Sequence, residues 1–141
     1  MASLAQFAVA PTLDAVAVSA ANTNRDGTGT LATVASGPVT LAAAGVGKRI
    51  SRVRVKAVST TTAGMLRFFI SANNGANIFL IHEEPVRAII PSATVASFSV
   101  EIEELAGLVL PGGNGSNVQA ILYCSTHNAE VFHVTAEGGT F

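Results

Sequence analysis

The chain has 141 residues, with 8 Lys+Arg against 9 Asp+Glu and a formal charge of −1. Hydrophobic residues make up 49% and charged residues 12%, which excludes a disordered tail and argues against DNA binding through bulk positive charge. That length fits one domain, large enough to bury a core without disulfides.

The apolar content is dominated by 24 Ala and 16 Val, with no Trp and one Tyr. Small and β-branched residues suit closely packed sheets. So little charge leaves a free monomer poorly solvated, so part of its surface is expected to be covered by other chains. No apolar run reaches the ~18 residues of a membrane span. The opening Met1-Ala2-Ser3-Leu4 has no basic stretch, so no secretory signal is expected. Cys124 is the only cysteine, which rules out an intramolecular disulfide.

No stretch keeps helical periodicity over three turns. The chain reads instead as short alternating segments broken by Gly, Pro, Asn and Ser-Thr clusters. Residues 4–10 form a first apolar segment ending at Pro11, and 14–20 place Val16 and Val18 on one face. The polar stretch 22–29 is rich in turn formers and reads as an exposed loop. A third strand covers about 30–35. The clearest strand is 48–58, where Val53, Val55 and Ala57 face one way and Arg52, Arg54 and Lys56 the other. Ile50 is out of phase with Val53, which predicts a bulge near Ser51. Residues 65–71 are nearly continuous in apolar character and read as buried on both faces. Asn73-Asn74-Gly75 predicts a type I′ hairpin leading into 77–84.

Pro85 is expected to end that pairing, followed by a short edge strand over 86–90. In 95–105, Phe98, Val100 and Ile102 are assigned inward, and Ser97, Ser99, Glu101 and Glu103 outward. Residues 108–110 are brief. The last hairpin is expected to pair 117–124 with 130–136 around Ser125-Thr126-His127-Asn128. The predicted core is Val53, Val55, Leu66, Phe68, Ile70, Phe98, Val100, Ile102, Val118, Ala120 and Leu122. The spacing and turn signals give an all-β protein, a single jelly-roll-like β-sandwich of about eight to ten antiparallel strands. Residues 1–20 form an N-terminal arm or the first strands, and 21–141 the sandwich domain.

No convergent catalytic constellation emerges, so the chain is not expected to be an enzyme. Cys124 and His127 are close in sequence, but Cys124 shares a strand face with Val118, Ala120 and Leu122 and reads as a core residue. His82, His127 and His133 follow no tight ligand spacing, so no metal and no cofactor are expected; His127 and His133 would be the first suspects if one were found. Glu101 and Glu103 alternate outward like a solvated face rather than a hydrolytic carboxylate pair. The glycines of 27–29 and 112–115 do not open helices, so they make no phosphate cradle.

Five of the eight Lys+Arg fall within 48–56. Arg52, Arg54 and Lys56 therefore line one strand face, either paired across strands with Glu101 and Glu103 or meeting an acidic partner chain. Nucleic acid is not expected there, because net charge is negative and no aromatic lies in the run. Leu4 and Phe7, on the apolar segment ahead of Pro11, belong to an arm that would add to a neighbour's sheet edge.

Several stretches carry a resemblance: 24–28, 61–70, 91–98, 108–111 and, most specifically, Ser125-Thr126-His127-Asn128-Ala129-Glu130-Val131-Phe132-His133-Val134. Together they resemble small proteins encoded among the virion genes of tailed bacteriophages and prophages. The resemblance implies a structural component of the particle and transfers no catalytic residue. It implies a capsid decoration (cement) protein stabilising the head, a homo-oligomer such as a trimer bound to the major capsid protein. Its location would be the capsid surface of the virion, with the host cytoplasm as the place of assembly and no membrane partner. The alternative is a tail or head-fibre component contacting the host surface.

Overall fold

A computed structural model describes residues 10–38, 47–113 and 119–141. Nine strands follow one another: β1 Ala10–Val18, β2 Ala32–Ser36, β3 Gly47–Ala57, β4 Gly64–Ser71, β5 Phe79–Val86, β6 Ser99–Glu101, β7 Val109–Pro111, β8 Ile121–Thr126 and β9 Phe132–Thr140. A 3₁₀ turn at Glu103–Leu105 separates β6 from β7 and is the one helical element among the described residues.

The strands form two antiparallel sheets. The five-stranded sheet runs β1-β9-β3-β6, with β7 also on β3, and the four-stranded sheet runs β2-β8-β4-β5. The pairing is nested, so that β1 meets β9, β2 meets β8, β3 meets β6 and β7, and β4 meets β5. That is a long hairpin folded over itself into two facing sheets, the jelly-roll arrangement the strand spacing predicts.

The core lies between the sheets, where period-two alternation places one face of each strand. Val53, Val55 and Ala57 of β3 meet Leu66 and Phe68 of β4, Leu122 and Cys124 of β8, and Phe132, Val134 and Ala136 of β9. Of the predicted core, Val53, Val55, Leu66, Phe68, Phe98, Ile102, Ala120 and Leu122 are buried, and Ile70 and Val100 pack on as partly buried neighbours. Val118 lies outside the described residues, as do Leu4 and Phe7.

The bulge expected near Ser51 is present, since the register of β3 on β9 shifts between Ile50 and Arg52. It lets Ile50 and Val53 both reach the core despite their odd spacing. On the other side of β3, residues 102–108 leave the ladder and rejoin it. Ile102 N–H donates to Val53 O at 2.9 Å, Gly107 N–H to Ile50 O at 2.7 Å, and Ile50 N–H to Leu108 O at 2.7 Å. β6 and β7 are thus two halves of one strand, interrupted by the 3₁₀ turn, whose Leu105 is buried.

Several expectations are corrected. Pro11 does not end a strand but lies inside β1, opposite Gly139, on an edge where its missing N–H costs no ladder bond. Pro85 likewise stays within edge strand β5, opposite Met65; Val86 ends that strand opposite Gly64, and 87–90 forms only a bridge between Thr61 and Ile89. The strand expected over 95–105 shortens to β6, and Glu103 belongs to the 3₁₀ turn rather than to the outward alternation. The last hairpin is not a hairpin. β8 pairs with β2 and β4, β9 pairs with β1 and β3, and the 127–131 turn carries the chain from one sheet to the other. The Asn73–Ala76 turn is as expected, with φ of 59° at Asn74 and 87° at Gly75 and Ala76 N–H donating to Asn73 O.

Candidate functional site

The outer face of the five-stranded sheet is built by the residues that alternate away from the core. Strand register sets them in rows: Ala17, His133, Lys56 and Ser99 form one, and Ala15, Thr135, Arg54 and Glu101 the next. Arg52 follows, level with Glu137 of β9. Arg52, Arg54 and Lys56 therefore stand side by side on this face, as the sequence alternation predicts. Their charges are largely answered within the chain. Arg52 Nε lies 2.7 Å from Glu101 Oε1 and its Nη1 4.0 Å from Glu137 Oε2, while Arg54 Nη2 donates to Glu137 Oε1 at 2.5 Å. Lys56 Nζ donates to Ser97 O at 3.3 Å and has no carboxylate within 4 Å among the described residues. All these groups are half exposed, so each pair contributes little. A shallow groove of about 530 Å³ follows this face, lined by Arg54, Lys56, Ser99, Glu101, His133 and Thr135.

Glu101 pairs with the basic stripe as expected, but Glu103 does not. Its place is taken by Glu137, which the sequence reading left outside its last strand, taken to end at residue 136. β9 runs on to Thr140 and carries Glu137 level with Arg52.

The four-stranded sheet is covered differently. Arg67, Phe69 and Ser125 face away from the core yet are 3%, 0% and 0% exposed. The 19–31 loop lies across them. Asn22 N–H donates to Thr126 O at its start, and Arg25 Nε reaches Glu83 Oε2 at 2.8 Å at its far side. The loop is fastened internally by Asn22 Nδ2, which donates to Thr28 O and Thr30 O, and by Asp26 Oδ1, which accepts from Thr28 N–H and Oγ. The Thr28 hydroxyl and N–H hold the Asp26 carboxyl below its ordinary value. Glu83 also accepts from Arg67 Nε at 3.0 Å, and the Arg25 bond, opposed by desolvation and aided by Arg67, holds it low as well.

One end of the sandwich exposes four of the large apolar side chains. The register puts the ends of β3 and β5 beside the starts of β4, β6 and β9. The loops there expose Val58, Ile90, Val95 and Val131, with Ile90 77% exposed. Val58 N–H donates to Val131 O at 3.1 Å, so two of these loops are tied together. Lys56 and His133 stand one residue back from this end.

Cys124 is a core residue whose thiol donates to Ser125 O; its strand partner on β4 is Phe68, and burial raises the thiol's pKa. His133 stands on the outer face of β9, and His127 N–H donates to Met65 O beside the other sheet. The structure instead brings His82 and Glu84 of β5 together with Glu104 of the 3₁₀ turn. The His82–Glu84 spacing of two puts both on one strand face and is visible in the sequence; Glu104 comes from the other sheet.

No protein-family model, curated protein or solved structure matches the chain.

Proposed function

We propose that the chain is a non-enzymatic structural protein of a bacteriophage virion, a capsid decoration protein that attaches through the apolar end of its sandwich. One observation carries the reading: Val58, Ile90, Val95 and Val131 are exposed together on loops at one end of a protein whose charged content is only 12%. Exposed apolar groups gathered in this way mark interaction sites. The sequence resemblance to virion proteins supplies the partner, the major capsid protein, with a homotrimer as the repeating unit. Lys56 stands at the rim of the same end, where a positive charge sets encounter rate and salt dependence. Arg52 and Arg54, held by Glu101 and Glu137, contribute as a patterned polar face rather than as free positive charge.

Heads from phage lacking this gene, mixed with the purified protein, test the reading. Ile90→Ser with Val131→Ser, at exposed positions, should fold normally. If both side chains are buried on attachment, at about 1.5–3 kcal/mol each, head affinity falls about 100-fold or more. Changing Arg52, Arg54 and Lys56 together to Ser should chiefly slow attachment and reduce its salt dependence. Heads decorated equally by all three proteins would overturn the proposed surface. Density missing from tails or fibres of the deletion phage, with complete heads, would select the tail or fibre reading.

A further inference from the structure

We propose that His82, Glu84 and Glu104 form a binding site for one divalent cation of the zinc class, which fastens the free edge of β5 to the 3₁₀ turn of the opposite sheet. Among the described residues, β5 is the outer strand of its sheet and pairs with β4 alone. Its alternation turns His82 and Glu84 inward, where an edge strand of a sandwich would otherwise carry apolar residues. Glu104 arrives from the turn between β6 and β7, which belongs to the other sheet. The three side chains thus close the gap between the sheets along one side.

The geometry is that of a site with three protein ligands. His82 Nε2 lies 3.1 Å from Glu84 Oε1 and 3.8 Å from Glu104 Oε2, and the ligand atoms all fall within 4.8 Å of one another. Four-coordinate zinc, with bonds of about 2.0–2.2 Å, holds its ligand atoms roughly 3.2–3.6 Å apart, so only small side-chain rotations are needed. The imidazole is already directed. Its ring packs at 6.2 Å from that of buried Phe68, and His82 and Glu84 side chains are 15% and 22% exposed. One imidazole with two carboxylates suits a borderline cation better than calcium, which takes six to eight oxygens. Glu104 is 64% exposed, so water can supply a fourth ligand.

Charge is the second observation. Two carboxylates share this corner, and among the described residues no Lys or Arg lies within 4 Å of either. By contrast, every other paired glutamate on the sheets, Glu83, Glu101 and Glu137, faces an arginine. A bound cation would balance two carboxylates that otherwise face only the His82 imidazole.

Zinc and cobalt(II) titrations of chelator-treated protein test this by calorimetry and by the visible spectrum of bound cobalt. One ion should bind per chain. At free zinc about 100 times Kd, linkage gives ~2.7 kcal/mol, read as a rise in the thermal midpoint of about 8–10 °C. Glu104→Gln, at an exposed side chain that leaves the fold intact, should weaken binding at least about tenfold and abolish the cobalt bands. His82→Asn should do the same. A His127→Asn, His133→Asn double variant should bind like wild type. Absence of saturable binding up to ~1 mM zinc would overturn the proposal. So would undiminished binding by Glu104→Gln, or loss of binding in the His127/His133 variant.

Discussion

Replacing Phe98 by Ala tests the packing where the two sheets meet the apolar end. Phe98 immediately precedes β6, is 5% exposed, and its ring meets Phe132 edge-on with centroids 6.2 Å apart and planes at 88°. Its carbonyl accepts the Ala57 N–H at 2.8 Å, a bond that truncation leaves in place. The cost is therefore side-chain transfer plus the cavity left beside Phe132, about 3–5 kcal/mol. Against a total stability of about 5–15 kcal/mol, the variant stays folded but weakened. With a urea m-value near 2 kcal/mol/M, the midpoint should fall by about 2 M at unchanged m. A double-mutant cycle with Phe132→Leu should return about 0.5–1.5 kcal/mol for the edge-to-face pair itself. A loss below ~1 kcal/mol, or strict additivity in the cycle, would mean that the ring lies outside the core and that the inward assignment of β6 is wrong.

Two further outcomes follow from backbone proximity and charge. A Cβ at Gly138 would lie 2.0 Å from the Arg49 carbonyl oxygen at the β3 bulge, so Gly138→Ala must push two paired strands apart and should cost about 3 kcal/mol by chemical denaturation. Gly107→Ala serves as its control: nothing lies within 4 Å, and only its φ of +87° is strained, so the loss should be about 1–2 kcal/mol. Glu83 is held below its ordinary value of 4.5, first by the Arg25 hydrogen bond. A depressed carboxylate contributes stability that is fully present above that value and is lost as pH falls through the lower folded one. Glu83→Gln should therefore lower stability at pH 7 and flatten its decline below pH 4.5, as followed by thermal midpoints; an unchanged acid limb would refute the Arg25–Glu83–Arg67 linkage.

The alternation of 48–58 was enough to place Val53, Val55 and Ala57 inside and the basic stripe outside, because a half-buried strand must repeat every two residues. The same pattern marked the Ser51 bulge, since one extra residue inverts the faces on either side. What could not be read was partnership. The 125–128 turn looks like a hairpin loop, yet it joins two sheets, because local turn chemistry does not say whether the next strand lies alongside or opposite. Register failed for a similar reason at β4 and β5. A two-residue turn at Asn74-Gly75 places His82 opposite Arg67, but a bulge between Phe68 and Phe69 moves Glu83 there instead. The pairing of buried Arg67 with Glu83 depends on that single irregularity, which leaves no mark in the composition. The meeting of His82 with Glu104 was hidden still more fully, since it needs both the sandwich and the interruption of β6 by a turn. The masking of Phe69 and Ser125 by the 19–31 loop was likewise invisible in a stretch that reads simply as polar and solvated.

The nested order of pairing governs when this protein can fold. β9 sits between β1 and β3, so the five-stranded sheet has no centre until residues 132–140 have been made. Before that, β1 lacks its ladder partner β9, whereas the four-stranded sheet can close once β8 is made and β3 can pair with β6 and β7. Completion of the five-stranded sheet therefore waits for β9 and rests on contacts between distant parts of the sequence, a topology whose rates fall in milliseconds to seconds. A chain cut short before β9 would leave β1 and β3 with unpaired edges and open to joining strands from other copies. Addition of β9 thus divides a chain with open sheet edges from a closed sandwich.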